Sequence, residues 1–196
     1  TITFVRTGGT ADALTHTYNF APGDKTSGAH SITRTVLEAG FANSLVSGAI
    51  YTMTISATDA ASNAATPVVN TAITYDTTAP VISLVTPATS TSVNSSFSAN
   101  YTLSESVSSG TITFVRTGGT ADALTHTYTF GTGDKTSGAH SITRATLEAE
   151  FGNTLVSGAI YTMTVSATDA ASNAATPVSN TAITYDTTAP VISLVT

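Results

Sequence analysis

Side chains with oxygens that a hard cation could use stand at fixed places in this sequence: Asp76 in "YDTTAP", Glu105 in "LSES", and Asp169 and Asn173 in "TDAASN". Calcium takes about six to eight such oxygens, and extracellular modules hold it at roughly 10⁻⁴ to 10⁻³ M. Asp59 and Asp186 are the same residues one repeat away, so each would serve a neighbouring site. The run lacks the dense D-x-D-x-D spacing of an EF-hand loop. A second chemistry fits the same residues: Asp before Thr-Thr closes an Asx turn on its own backbone, Asp169 with Asn173 makes a tight turn, and Glu105 suits a solvated loop. On the sequence alone both readings stand.

Catalytic patterns are absent from the sequence. It has no G-x-S-x-G, no H-E-x-x-H and no phosphate-cradling glycine loop, and "TGGT" reads as a strand-ending turn. His126 and His140 recur as His16 and His30 and are expected as half-buried strand residues whose ring nitrogens bond to backbone. Arg116 and Asp122 are expected as a surface pair of little energetic worth. Lys135 lies in a loop, which fits poorly with an isopeptide crosslink, because that chemistry needs a buried lysine beside an amide and an acid. These residues point to no enzyme.

Composition removes further classes. Charged residues are 9% of the chain, against roughly 25% in typical soluble domains. Six basic residues and a net charge of −6 argue against a nucleic-acid surface or a polybasic membrane anchor. No apolar run approaches the roughly 18 residues of a spanning helix, so no membrane insertion is expected. The absence of cysteine leaves no disulfides and no thiolate metal ligands. Threonine supplies 42 of the 196 positions, and β-branched residues suit strands.

The elements that must carry these residues repeat. Residues 1–86 align without a gap on 111–196 and differ at ten positions, among them Asn19/Thr129, Gly40/Glu150 and Ile55/Val165, which gives a period of 110. We therefore expect a partial repeat over 1–76, a complete one over 77–186, and the first strand of a following repeat over 187–196, as in a window on a longer array. Period-two alternation dominates: Phe97, Ala99, Tyr101 and Leu103 face one way in "FSANYTLSE", as do Tyr161, Met163, Val165 and Ala167 in "YTMTVSATD". Seven strands are expected in the complete unit, A near 79–86, B at 97–104, C at 111–116, D at 125–130, E at 139–144, F at 160–168 and G at 180–185. The first copy should hold C to G. Leu147 and Phe151 are spaced for one helical turn, which Gly152 and Asn153 would end.

The paired "YDTTAP" linker, the "ATDAASN" turn and the order of strands between them resemble the bacterial Ig-like repeats of giant secreted surface proteins and large repetitive adhesins. The resemblance covers the whole chain, with Ser172 where Gly is usual in that turn. It implies an all-β fold of tandem immunoglobulin-like β-sandwiches, strung head to tail in an extracellular fibre at the bacterial cell surface. Partners would be neighbouring repeats and other copies in a filament. In such a sandwich the linker and the B–C and F–G loops meet at one pole, where Asp76, Glu105, Asp169 and Asn173 could hold Ca²⁺ and brace the joint. Two alternatives remain: a filament subunit that exchanges strands between chains, and an adhesin module that binds glycan or ice through its threonine arrays.

Overall fold

The computed structural model describes residues 1–192. The chain divides into two compact units, Thr1–Thr78 and Thr196-terminated Ala79–Thr196, the latter described to residue 192. Strand is its main regular structure. In the first unit the elements are β1 (Ile2–Gly9), β2 (His16–Tyr18), α1 (Arg34–Phe41), β3 (Ala49–Ile55) and β4 (Val68–Tyr75). In the second they are β5 (Ile82–Thr86), β6 (Ser92–Val93), β7 (Ser98–Leu103), β8 (Ser109–Gly119), β9 (Thr125–Thr129), β10 (Gly138–Thr143), α2 (Arg144–Phe151), β11 (Ala159–Thr168) and β12 (Val178–Tyr185).

The second unit is two sheets around one core. One has the order β10-β7-β5 and the other β6-β12-β11-β8-β9. All pairings are antiparallel except β6 on β12. Alternation decides the faces: in β11, Ala159, Tyr161, Met163, Val165 and Ala167 are buried while the threonines and serine between them are only partly so. Ala99, Tyr101 and Leu103 of β7 meet them from the facing sheet in a single cluster with Ile112, Phe114 and Leu147. The chain passes from one sheet to the other between β5 and β6, through the cis peptide Thr86–Pro87, and Asn180 of β12 donates to the carbonyls of Val85 and Pro87 across that crossing. Gly110 permits a close approach, since a Cβ there would lie 2.3 Å from the Phe130 ring.

The helix is longer than the single turn expected. Thr143 caps α2 through its hydroxyl, which accepts from the Thr146 amide, and Gly152 stops it at φ 68°. Leu147 turns into the core, fully buried, so packing holds two turns that the short sequence would not sustain alone. Glu148, ion-paired with Arg144, accepts from the Leu155 amide and fixes the loop that leads into β11.

The first unit repeats half of this plan. Its sheet runs β2-β1-β3-β4 with the registers of β9, β8, β11 and β12, including the same slip in β3 between Tyr51 and Met53 that β11 shows between Tyr161 and Met163. Among its described residues there is no second sheet. The strand expected at its E position is not formed: residues 28–33 lack strand structure, whereas their equivalents form β10. β10 takes its ladder from β7, and the described residues of the first unit hold no counterpart of β7. A strand at that edge without a partner leaves its amides and carbonyls to water. The segment 187–196, expected to begin another repeat, lies partly outside the described residues, and Val191 and Ile192 within it are exposed.

Candidate metal centre

Glu105 and Asp169 are brought together at one pole of the second unit, each offering a carboxylate oxygen within 4.8 Å of the other's. Two crossings build that pole. Val81, just ahead of β5, exchanges bonds with Ser104: its amide donates to Ser104 Oγ at 2.8 Å, and the Ser104 amide returns one to the Val81 carbonyl at 3.0 Å. Ser108 then pins the loop after β7 to the end of β11, its amide and hydroxyl reaching the Thr168 carbonyl and its hydroxyl the Asp169 carbonyl at 2.5 Å. Val107 between them is buried. The loop holding Glu105 is thereby clamped at both ends against the turn holding Asp169.

Asp169 is 3% exposed and closes its own turn. Its Oδ1 accepts from the Asn173 amide and its Oδ2 from the Asn173 side-chain N–H, both at 2.8 Å. Burial raises the carboxyl's pKa, but these bonds outweigh it and hold the group below the usual carboxylate range. Asn173 therefore serves the turn with its Nδ2 and brings its amide group to the same pole. The turn reading and the cation reading of these two residues are compatible, because a carboxylate oxygen that accepts an N–H keeps a second lone pair for a metal. Ser172 sits in the left-handed region at φ 71°, as does Ser62 in the first copy.

The other candidates lie elsewhere. Asp59 makes the same turn with Asn63 in the first unit, exposed rather than buried. Asp186 follows β12 at the far end of the second unit, separated from Asp169 by the length of β11. There Thr188 donates its amide to Asp186 Oδ1 at 2.8 Å, which lowers the carboxyl's pKa, and Ser157 binds both that oxygen and the Thr187 amide. Asp76 repeats the arrangement with Thr78 and Ser47. Each linker thus leaves its unit through an Asx turn latched by a serine of the loop before β3 or β11.

A second polar cluster was not legible as such. His126 is fully buried, and its ring nitrogens face Asn153 Oδ1 at 2.5 Å and Asp122 Oδ2 at 2.7 Å, not backbone. Asp122 Oδ2 also accepts from the Tyr161 hydroxyl at 2.5 Å, and that hydroxyl accepts from the Val156 amide. The expected pair of Asp122 with Arg116 is not formed: Arg116 donates instead to the carbonyls of Gly119 and Thr120. Asp12, His16, Asn43 and Tyr51 build the same network in the first unit. The Tyr51 hydroxyl, with His16, lowers the Asp12 carboxyl to about 2 against the opposing effect of burial. An Asp–His contact invites comparison with a catalytic dyad, but the ring is enclosed and its two nitrogens are spent on Asp and Asn. The network ties the β8–β9 turn to the loop after α2 and to β11, a structural task. The i,i+4 spacing of Asp122 and His126, preserved in both copies, was its one sequence signal. His140 does bond to backbone, at the Thr136 carbonyl.

Comparison with protein-family models finds no match, and comparison with curated proteins finds none either.

Proposed function

We propose that this chain is a stretch of tandem immunoglobulin-like repeats from a long extracellular bacterial fibre, an adhesin stalk or surface filament, whose joints are stiffened by calcium. The observation that carries the proposal is a joint built twice in the same way. "YDTTAPVISLVT" recurs unchanged at 110 residues, and both Asp76 and Asp186 latch it through equivalent serines. The sheet orders of the second unit support the Ig-like reading, with A, B and E facing A′, G, F, C and D. On this reading the role is mechanical and noncatalytic: each sandwich buries its own core, and stability is roughly a sum along the array.

Calcium enters through the pole that receives the linker. Asp76 stands five residues before Val81, whose amide is fixed at that pole. Five residues span at most about 18 Å, a reach that would let Asp76 join Glu105 and Asp169. Carboxylates gathered there repel one another, and a divalent cation would offset the repulsion while crosslinking the linker to two loops. Asn173 would contribute its amide oxygen, and Asp59 and Asp186 would do the same for adjoining joints.

The test uses a protein of two whole repeats with their joint, followed by thermal melting and small-angle scattering in calcium and then in excess chelator. Calcium should raise the melting temperature and lengthen the particle, and Asp76→Ala should remove both effects. If neither quantity responds to calcium, the acids are turn residues and the braced-joint reading fails.

A further inference from the structure

The side chain of His126 has no exposed surface, and its partners fix how many protons it carries. Nε2 lies 2.7 Å from Asp122 Oδ2 and Nδ1 2.5 Å from Asn153 Oδ1. Asp122 has no proton to give: burial raises its pKa, but bonds from His126, the Tyr161 hydroxyl and the Leu124 amide prevail and keep it a carboxylate. Asn153 is oriented by a second bond, from its Nδ2 to the Phe151 carbonyl at 3.2 Å, which leaves Oδ1 for the ring. Both ring nitrogens therefore face acceptors.

A neutral imidazole has one N–H and one lone pair, so it can satisfy only one of these contacts and turns a lone pair towards an oxygen at the other. The imidazolium donates to both. The first unit sets the same atoms in the same order, His16 Nδ1 against Asn43 Oδ1 and Nε2 against Asp12 Oδ2. The titratable groups facing the His126 ring are Asp122 from the β8–β9 turn and Tyr161 from β11. α2 presents Phe151, the loop after it Asn153, and β8 sets Phe114 opposite in register. The second proton thus has a carboxylate to balance its charge and an amide oxygen to receive it.

We propose that His126 is an imidazolium in the folded second unit, paired with the Asp122 carboxylate, and that its Nδ1 proton pins the loop after α2. This rests on donor and acceptor geometry, not on the calcium joint or the fibre. Loss of that proton leaves Nε2–H on the carboxylate and turns the Nδ1 lone pair towards Asn153 Oδ1. Asn153 must then turn its amide over, which sets its oxygen against the Phe151 carbonyl, or withdraw with its backbone. That backbone runs into Leu155, Val156 and Ser157, which bond to Glu148, to the Tyr161 hydroxyl, and to Asp186 and Thr187 of the linker. A proton lost inside the sandwich is thereby felt at the latch of the linker. The pin holds while the ring is charged and is lost as pH rises through its deprotonation, the opposite sense to the buried carboxylates.

The experiment records long-range proton–nitrogen NMR spectra of the histidine rings in the intact, nitrogen-labelled chain through a pH series, with the exposed His30 as reference in the same sample. At a pH where His30 has become neutral, His126 should still show two protonated nitrogens. When the pH is raised until His126 loses one, protection of the Leu155 and Val156 amides should fall at least about tenfold beyond the intrinsic dependence of exchange on pH. Asn153→Ala removes the acceptor at Nδ1 and should bring the titration of the ring towards that of His30. The spectra of the unaltered chain decide the matter if that variant does not fold. The proposal is overturned if His126 carries an unprotonated nitrogen as early in the series as His30, which would mean a neutral ring and an Asn153 amide turned the other way. It is overturned equally if the ring loses its proton and the two amides keep their protection.

Discussion

The 78 residues of the first unit differ from 111–188 of the second at only ten positions, yet the same side chains live in different surroundings. Leu147 is completely buried and Leu37 only half; Val165 is buried and Ile55 is not; Asp169 is enclosed and Asp59 exposed. Their local structure hardly differs. The strand registers, the β-bulge, the helix, the Asp–His–Tyr network and the serine-latched Asx turn all recur. What separates the units is the second sheet, β5, β7 and β10, whose inner face removes the apolar side of β11 and β12 from water. The first unit keeps a smaller core of Ile2, Phe4, Tyr18, Phe41, Ala49 and Tyr51 on its one sheet and helix.

Cavity mutations should open the widest gap between the units. Leu147→Ala should cost the second unit about 2–5 kcal/mol, and Leu37→Ala less than half as much in the first, read by native-state hydrogen exchange at the amides of β11 and β3. Equal losses would mean that the second sheet adds little to the packing around the helix.

Acid should act on both units alike. A carboxyl whose folded pKa lies below its unfolded value contributes stability that is complete above the unfolded value near 4 and disappears as pH falls through the folded one. Asp12 is lowered to about 2 and Asp122 is lowered as well, burial opposing and the bonds from His126 and Tyr161 prevailing. Stability should therefore decline below about pH 4 in both units, reaching down to about pH 2 in the first, and Asp12→Asn or Asp122→Asn should flatten that decline in its own unit. A decline confined to the second unit would show that the network depends on the covering sheet.

Glycine at the left-handed serines should bring the smallest change, and the same one in each unit. Ser172→Gly and Ser62→Gly relieve a φ of 71°, offset by the entropy glycine loses on folding, for a net gain of up to about 1 kcal/mol. Melting of each single variant measures it. A gain at Ser172 alone would indicate that burial, not backbone conformation, sets the value.

Most elements were legible because their signals are local. Alternation placed all seven strands of the complete repeat, and Gly152 marked the helix end. β6 was missed because two residues carry no period, and the second helical turn because Leu147 earns it only by packing. The strand expected at residues 29–34 was wrong for a related reason: "AHSITR" reads identically in both copies, but only one copy has a neighbour for it. Of the candidate site, the acids were visible and their convergence was argued from strand direction, whereas the Asp122–His126–Asn153–Tyr161 cluster spans residues up to 39 apart.

By itself the sequence determined the repeat, the strand phases, the turns and the Asx turns of the linkers, since each depends on residues close along the chain or on an exact recurrence. Only the tertiary structure decided how completely each copy's core is enclosed, whether "AHSITR" is a strand, and whether Asp122 meets Arg116 or His126. Those outcomes depend on what lies across a sheet from a residue, and a period-two pattern says which face a side chain takes without saying what waits there.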